Sequence, residues 1–216
     1  VAACLLEARG VWKRYDWNRG WVLCDVGLCV EPGRGVLVTG PNGSGKTTLL
    51  RILVGLARPS RGEVLIAGQS PYTPGARRVL GVVLHHSLLY DELTVRENLE
   101  YYARLYGIEY RPEEDEVVEI LGLGRYLDTR AGELSFGWKK RANIARALLH
   151  RPRVLAIDEP FTGLDDDAVE ALRGLLEELL HRGMAVVATS PQKSAEELLE
   201  GFNAYRIESG KLVRIR

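Results

Sequence analysis

The sequence predicts an α/β fold, and three observations carry that reading. Residues 36–39 form a short apolar run leading into the glycine-rich GPNGSG, after which residues 46–56 have helical spacing, so strand, loop and helix follow in succession. Residues 154–157 form a second apolar strand ending on Asp158 and Glu159, with a helix–strand–helix order after it. Between these strands, residues 88–147 turn helical, as an insertion into an α/β core would.

In chain order, residues 5–8, 22–26 and 28–30 read as strands, and the turn-like EPGRG separates them from residues 36–39. Residues 63–66 and 79–84 are further strands across a Gly/Pro-containing connection. Thr94 is placed to cap a helix reaching about Tyr106, and Pro112 to open a second whose apolar face is Val117, Ile120 and Leu121. Ser135 precedes a helix extending to about His150. Over residues 166–182, Ala168, Val169, Leu172, Leu175, Leu176, Leu179 and Leu180 recur at three- or four-residue intervals, which marks a buried helical face. A strand over 185–189 and a helix over 192–199 follow, with Ser190 suited to be its N-cap and Pro191 its first helical residue. Residues 204–208 and 211–214 read as a hairpin around Ser209-Gly210. One domain over residues 1–216 is expected, in which 1–87 and 148–216 make the α/β core and 88–147 a helical subdomain.

The 216 residues suffice for a sizeable core, since a domain of this size buries roughly 70% of its unfolded surface. Lys plus Arg, 29 in all, balance 29 Asp plus Glu, which argues against a chain built to coat nucleic acid. The basic run Lys139, Lys140, Arg141 meets no aromatic platform and reads as a solvated or subunit-facing surface. No direct nucleic-acid partner is expected. No apolar stretch approaches the roughly 18 residues needed to span a bilayer, so membrane association is expected through a partner. Cys4, Cys24 and Cys29 are odd in number and lack CxxC spacing, which predicts neither a disulfide framework nor a zinc site and fits a reducing cytoplasmic compartment.

The chemistry is concentrated in GPNGSGKT, made of Gly40, Pro41, Asn42, Gly43, Ser44, Gly45, Lys46 and Thr47, which has P-loop spacing between a strand and a helix. Glycines there let backbone amides close around phosphate oxygens. Lys46 can neutralise the β and γ phosphates, the Thr47 hydroxyl can ligate Mg²⁺, and Thr48 is placed for the α phosphate. Asp158 and Glu159, at the end of a sheet strand, fall on the same carboxyl edge as this loop. Asp158 is assigned to the metal, and Glu159 to orienting or deprotonating an attacking water. By itself an acidic pair at a strand end also reads as a helix cap or loop face.

With these motifs in place, the chain resembles the nucleotide-binding subunits of ATP-binding cassette (ABC) transporters over essentially its whole length. LSFGW, residues 134–138, occupies the slot of the LSGGQ-type signature; KKRANIARALLHRPRVLAIDEP follows, then TGLD at residues 162–165. The resemblance implies the ABC ATPase fold, a P-loop NTPase core with an N-terminal antiparallel β subdomain and an inserted α-helical subdomain. It implies an ATPase that binds ATP and Mg²⁺, pairs as a homodimer or with a related subunit, and docks on the cytoplasmic side of an integral membrane permease. Each P-loop would face the other copy's signature, so that Ser135 and Gly137 contact the γ phosphate across the dimer and Asp165 lies in the loop communicating between sites. Tyr15 matches the aromatic that stacks on adenine, with Trp12 and Trp17 less favoured and a half-buried strand tyrosine as the alternative.

The departures from the family pattern are local. Phe136 replaces the second signature glycine and Trp138 its glutamine, although Ser135 can still cap the helix. His85, beside His86, stands where the family has a glutamine that senses Mg²⁺, so His85 is a candidate for both the catalytic and the metal set. A histidine there and the phenylalanine of DEPFTGLD resemble the haem-exporter ATPase of cytochrome c maturation. Ser190 stands at the switch histidine; it can donate one hydrogen bond but carries no charge, so hydrolysis is expected to be slow or to depend more on Glu159 and the partner. The helical tyrosines Tyr101, Tyr102 and Tyr106 read as packing residues, and Arg96 and Asp91 as edge residues near a docking groove. A weakly hydrolysing regulatory nucleotide-binding protein is the alternative function.

Overall fold

The computed structural model describes residues 3–16, 18, 20–191 and 194–216. Its strands are β1 (Leu6–Lys13), β2 (Leu23–Val30), β3 (Gly35–Thr39), β4 (Arg61–Ile66), β5 (Leu80–Val83), β6 (Val154–Asp158), β7 (Ala185–Ser190), β8 (Asn203–Glu208) and β9 (Lys211–Arg214). The α-helices are α1 (Lys46–Leu53), α2 (Pro74–Arg78), α3 (Val95–Tyr106), α4 (Glu116–Ile120), α5 (Phe136–Leu148), α6 (Asp166–His181) and α7 (Ser194–Leu198).

An antiparallel sheet of order β2-β1-β4 packs beside a larger sheet of order β5-β6-β7-β3-β8-β9. Pairing in the larger sheet is parallel from β5 to β8, and β9 returns antiparallel through Ser209 (φ 49°) and Gly210 (φ 77°), the positive dihedrals a two-residue hairpin turn needs. Successive strand residues point to opposite faces, and both faces of this sheet are covered. Val36, Val38, Val154, Ala156, Ala185 and Val187 join α1 and the antiparallel sheet in one core. Leu37, Leu155, Ile157, Val186 and Ala188 face a second core filled by α5, α6 and the helices between β5 and β6. Those inserted helices therefore share a core with the sheet through α5.

The parallel neighbours β5, β6, β7 and β3 all release their chains at one edge. The P-loop leaves β3 there, Asp158 and Ser190 are the last residues of β6 and β7, and His85 follows β5 by two residues. That common edge positions the candidate site.

Several local expectations change. Residues 22–26 and 28–30 form one strand, β2, running through Gly27. The helix expected from Pro112 is a single 3₁₀ turn over Pro112–Glu114, and α4 restarts after Asp115, whose carboxylate accepts the Val117 and Val118 N–H groups at 2.7 and 3.3 Å. Val118 and Leu121 are buried, whereas Ile120 is 36% exposed and leaves the predicted face. Ser190 closes β7 in register with Thr39, Pro191 is a bend, and α7 is described from Ser194. Gln192, the expected helix start, lies outside the described residues.

The cysteine reading is also corrected, because Cys4 and Cys29 form a disulfide across a Cα–Cα distance of 5.4 Å. Spacing along the chain could not show this. The β1–β2 pairing places Leu6 opposite Val30, and a bend at Leu5 brings Cys4 to Cys29. The cysteines therefore no longer argue for a reducing compartment, where disulfides are uncommon.

Candidate nucleotide site

The P-loop enters α1 through Gly45 at φ 106°, a dihedral costly for other residues, and an added Cβ would also approach Val22 at 3.2 Å. The first turn of α1 has neither a side-chain cap nor an acidic residue, so its amide donors are left for an anion. Lys46 is buried and donates to the carbonyls of Gly40 at 2.8 Å and Pro41 at 2.9 Å. Burial lowers its pKa, and the nearby carboxylates of Glu159 and Asp158 oppose that shift. Within the same loop the Ser44 hydroxyl is buried without a hydrogen-bond partner, lying where a Cβ on Gly40 would reach 2.8 Å from it. A buried orphan hydroxyl within a glycine-rich loop is the mark of a loop shaped around something polar.

Facing the loop, Thr47 Oγ1 donates to Asp158 Oδ2 at 3.4 Å. The other Asp158 oxygen accepts from the Thr189 hydroxyl, because β6 and β7 pair Asp158 with Thr189. Asp158 is thus 3% exposed, held by two hydroxyls and unpaired with any cation in those bonds, a suitable arrangement for a hard divalent ion. Glu159 takes a left-handed dihedral, φ 50°. Its N–H donates to Thr189 O at 3.0 Å, and its Oε2 accepts from Thr162 Oγ1 at 3.2 Å.

Tyr15 is 62% exposed just beyond β1, with its hydroxyl 3.3 Å from Thr48 Oγ1 and the Lys13 ammonium 4.8 Å from its ring centre. It is therefore no half-buried strand residue, and its ring is free to stack. Trp12 instead packs edge-on against Trp21 at 5.2 Å, and Trp17 lies outside the described residues. His85 is exposed and edge-on to His86 at 5.4 Å. Among the described residues no cluster of three His, Cys, Asp or Glu is arranged to hold a metal.

At the signature slot, Ser135 caps α5 by accepting from the Trp138 N–H at 3.5 Å. Gly137 abuts the Gly163 carbonyl, which an added Cβ would approach to 2.8 Å, while the exposed Phe136 ring covers Gly163. Trp138 turns inward, with ring centres 4.3 Å from Tyr126 and 4.1 Å from the Arg141 guanidinium. The two departures thus have different consequences: Phe136 alters the outward surface, whereas Trp138 packs beneath it.

The basic run departs most from its sequence reading. Lys139 pairs with Asp91, Lys140 donates to the backbone carbonyls of Glu159 and Thr162, and Arg141 is 9% exposed. Arg141 donates to Asp165 Oδ1 at 2.8 Å and Leu121 O at 3.3 Å, and Asp165 also caps α6. This is an internal tie rather than a solvated surface. Its one sequence signal was its place in the first turns of a helix whose later positions are apolar. Arg96 is likewise engaged, with Glu113 at 2.8 Å and Asp128 at 2.9 Å. Tyr102 and Tyr106 pack against the core, but Tyr101 is 39% exposed and pairs edge-on with Tyr90. Thr189, unremarked in the sequence, becomes a site residue only through strand register.

The profile of the family described as ABC transporter matches residues 23–162. The chain is 36% identical over 215 residues to the ABC transporter ATP-binding protein YhcH of Bacillus subtilis, covering 98% of this chain and 70% of that protein. It is 38% identical over 190 residues to the Nod factor export ATP-binding protein I of Burkholderia thailandensis, covering 86% of this chain and 62% of that one. It is also 38% identical over 217 residues to the sulfate/thiosulfate import ATP-binding protein cysA of Cucumis sativus, covering 94% and 61% respectively. It therefore spans from somewhat under to somewhat over two thirds of these relatives. Among solved structures, an ATP-binding subunit of an ABC transporter matches with a TM-score of 0.87 at 29% identity, covering 96% of this chain and 88% of that one. A dimeric ATP-binding cassette in a post-hydrolysis state with ADP and Pi matches with a TM-score of 0.81 at 27% identity, covering 96% of both chains.

Proposed function

The chain belongs to the ABC transporter family, and we propose that it is the ATP-binding and ATP-hydrolysing subunit of such a transporter. The observation that carries this reading is the convergence of Lys46, Thr47 and Asp158 at one sheet edge, with Thr47 3.4 Å from Asp158. The loop amides and Lys46 bind the phosphates, Lys46 exchanging its carbonyl partners for phosphate oxygens. Thr47 and Asp158 would hold Mg²⁺, which supplies charge compensation for the β and γ phosphates. Tyr15 stacks on the base. Glu159 accepts a proton from the water attacking the γ phosphate, while His85 and Ser190 border it from neighbouring strand ends. Ser190 offers a hydroxyl where an imidazolium would offer charge, so turnover is slow.

Ser135 and Gly137 serve the nucleotide of a second subunit, in a homodimer or with a related chain; a dimeric structural neighbour supports that assembly. Among the described residues no helix is long and apolar enough to cross a membrane. Attachment at the cytoplasmic face is through a permease, and residues 88–147 act as the helical subdomain of a single domain. Relatives named for export and for import both match, and cargo selection is assigned to the permease. Ser190 and Phe136 favour a second reading, a regulatory protein that binds ATP but barely hydrolyses it.

Nucleotide binding, dimerisation and turnover test the proposal together. Lys46→Ala abolishes ATP binding; Glu159→Gln retains it and accumulates an ATP-dependent dimer visible by light scattering. Unchanged turnover in Glu159→Gln removes the base role, and ATP binding without turnover in the permease complex selects the regulatory reading.

A further inference from the structure

Lys140 lies on α5, five residues after Ser135, yet its side chain serves the opposite end of the site. Its ammonium is half-buried and donates to two backbone carbonyls, those of Glu159 and, at 3.1 Å, Thr162. These carbonyls bracket the turn that carries the proposed base. The turn needs bracing: Glu159 holds φ 50°, a left-handed conformation that is strained for an L-residue, and its carboxylate is steered by Thr162 within the same turn. The Glu159 carbonyl also accepts the Thr162 N–H at 3.3 Å, so the turn closes on itself and is clamped by the ammonium from outside. Phe136 lies beneath the same side chain, its ring centre 5.9 Å from Lys140 Nζ.

We propose that Lys140 is a positioning residue for hydrolysis, holding the Glu159–Thr162 turn so that the Glu159 carboxylate stays aimed at the γ-phosphate position. The inference rests on the hydrolytic reading and adds a residue to it. It also links the base, through the Lys140 hydrogen bonds and the first turns of α5, to Ser135, the residue assigned to the other subunit's nucleotide. Burial pushes the Lys140 ammonium down to about 8, with Glu159 and Asp158 favouring its charged form. The site thus keeps a partly desolvated cation where backbone dipoles, rather than a carboxylate, are its direct partners. A glutamine there would place one fewer charge beneath the turn, and a methionine would leave both carbonyls without the ammonium.

The test is ATP turnover by the full chain, in its permease complex where that is required, with nucleotide affinity measured separately by a fluorescent ATP analogue. Lys140→Met is expected to lower kcat at least tenfold while Kd for the analogue changes less than threefold; Lys140→Arg, which can still donate to both carbonyls, recovers most of the loss. In Glu159→Gln the added Lys140→Met substitution is expected to cause no further loss, because the residue acts through Glu159. Unchanged kcat in folded Lys140→Met overturns the proposal, as do fully additive losses in the double variant. If Lys140→Met does not fold, Lys140→Arg decides: near-normal kcat supports the role, and a tenfold loss with normal melting overturns it. Absent turnover in the unsubstituted complex overturns the hydrolytic reading and this proposal together. Turnover there with a normal Lys140→Met overturns this proposal alone.

Discussion

Thr47 Oγ1 donates to Asp158 Oδ2 at 3.4 Å, joining the start of α1 to the end of β6 across 111 residues. If this pair holds the divalent ion, Asp158→Asn and Thr47→Val remove a metal ligand without touching the loop amides. ATP affinity without divalent ion should then stay near that of the unsubstituted chain, while the gain on adding Mg²⁺ falls about 10- to 100-fold. Titration of a fluorescent nucleotide with and without EDTA measures both. An undiminished Mg²⁺ increment in Asp158→Asn would sink the assignment.

Tyr15 presents an exposed ring, and its hydroxyl lies 3.3 Å from Thr48 Oγ1. Stacking on a base is worth about 1–3 kcal/mol, so Tyr15→Ala should weaken ATP binding roughly 5- to 100-fold, whereas Tyr15→Phe stays close to the parent. Equal losses in both variants would mean that the hydroxyl, not the ring, carries the contribution.

The Cys4–Cys29 bond closes a separation of 25 residues, and a loop of that size is worth about 3 kcal/mol through restriction of the unfolded chain. Denatured, unreduced protein should show one free thiol, from Cys24, and three after reduction. Dithiothreitol or Cys4→Ser should lower the melting temperature without changing ATP affinity, because the bond lies in the antiparallel sheet. Three thiols before reduction would show that the bond does not form in the isolated protein.

His150 stacks on Tyr106 with ring centres 3.9 Å apart, its Nε2 3.1 Å from Leu80 O and its buried Nδ1 without a partner. Burial brings the imidazole down to about 4, against a backbone hydrogen bond that favours its charge. Between that value and the ordinary one near 6.5 the unfolded chain binds the extra proton, so stability rises with pH there. This contribution is fully present above pH about 6.5 and is lost as pH falls toward 4. His150→Phe should flatten this part of the pH–melting curve; an equally steep fall in the variant would place the acid sensitivity elsewhere.

Much of the site was legible because its chemistry is written in contiguous residues. Gly40 through Thr47 must be neighbours in sequence for their amides to surround one phosphate group, and an apolar strand ending in Asp158-Glu159 delivers its acids to the sheet edge by geometry alone. The hairpin at Ser209-Gly210 and the caps at Thr94 and Ser135 were equally readable, since turns and helix ends are satisfied by residues a few positions away.

Strand order and register were decided by the tertiary structure. Thr189 meets Asp158 only because β6 and β7 are parallel neighbours, and Ser190 is the last residue of β7 because β3 pairs it with Thr39. Cys4 and Cys29 join because β1 and β2 lie side by side. Lys140 and Arg141 looked like solvated charge until α5 was buried against the turn after β6, where backbone carbonyls and Asp165 receive them. Local sequence specifies groups whose partners are near in the chain. A long cation's partners are set only when distant elements pack and leave it carbonyls or a carboxylate in place of water.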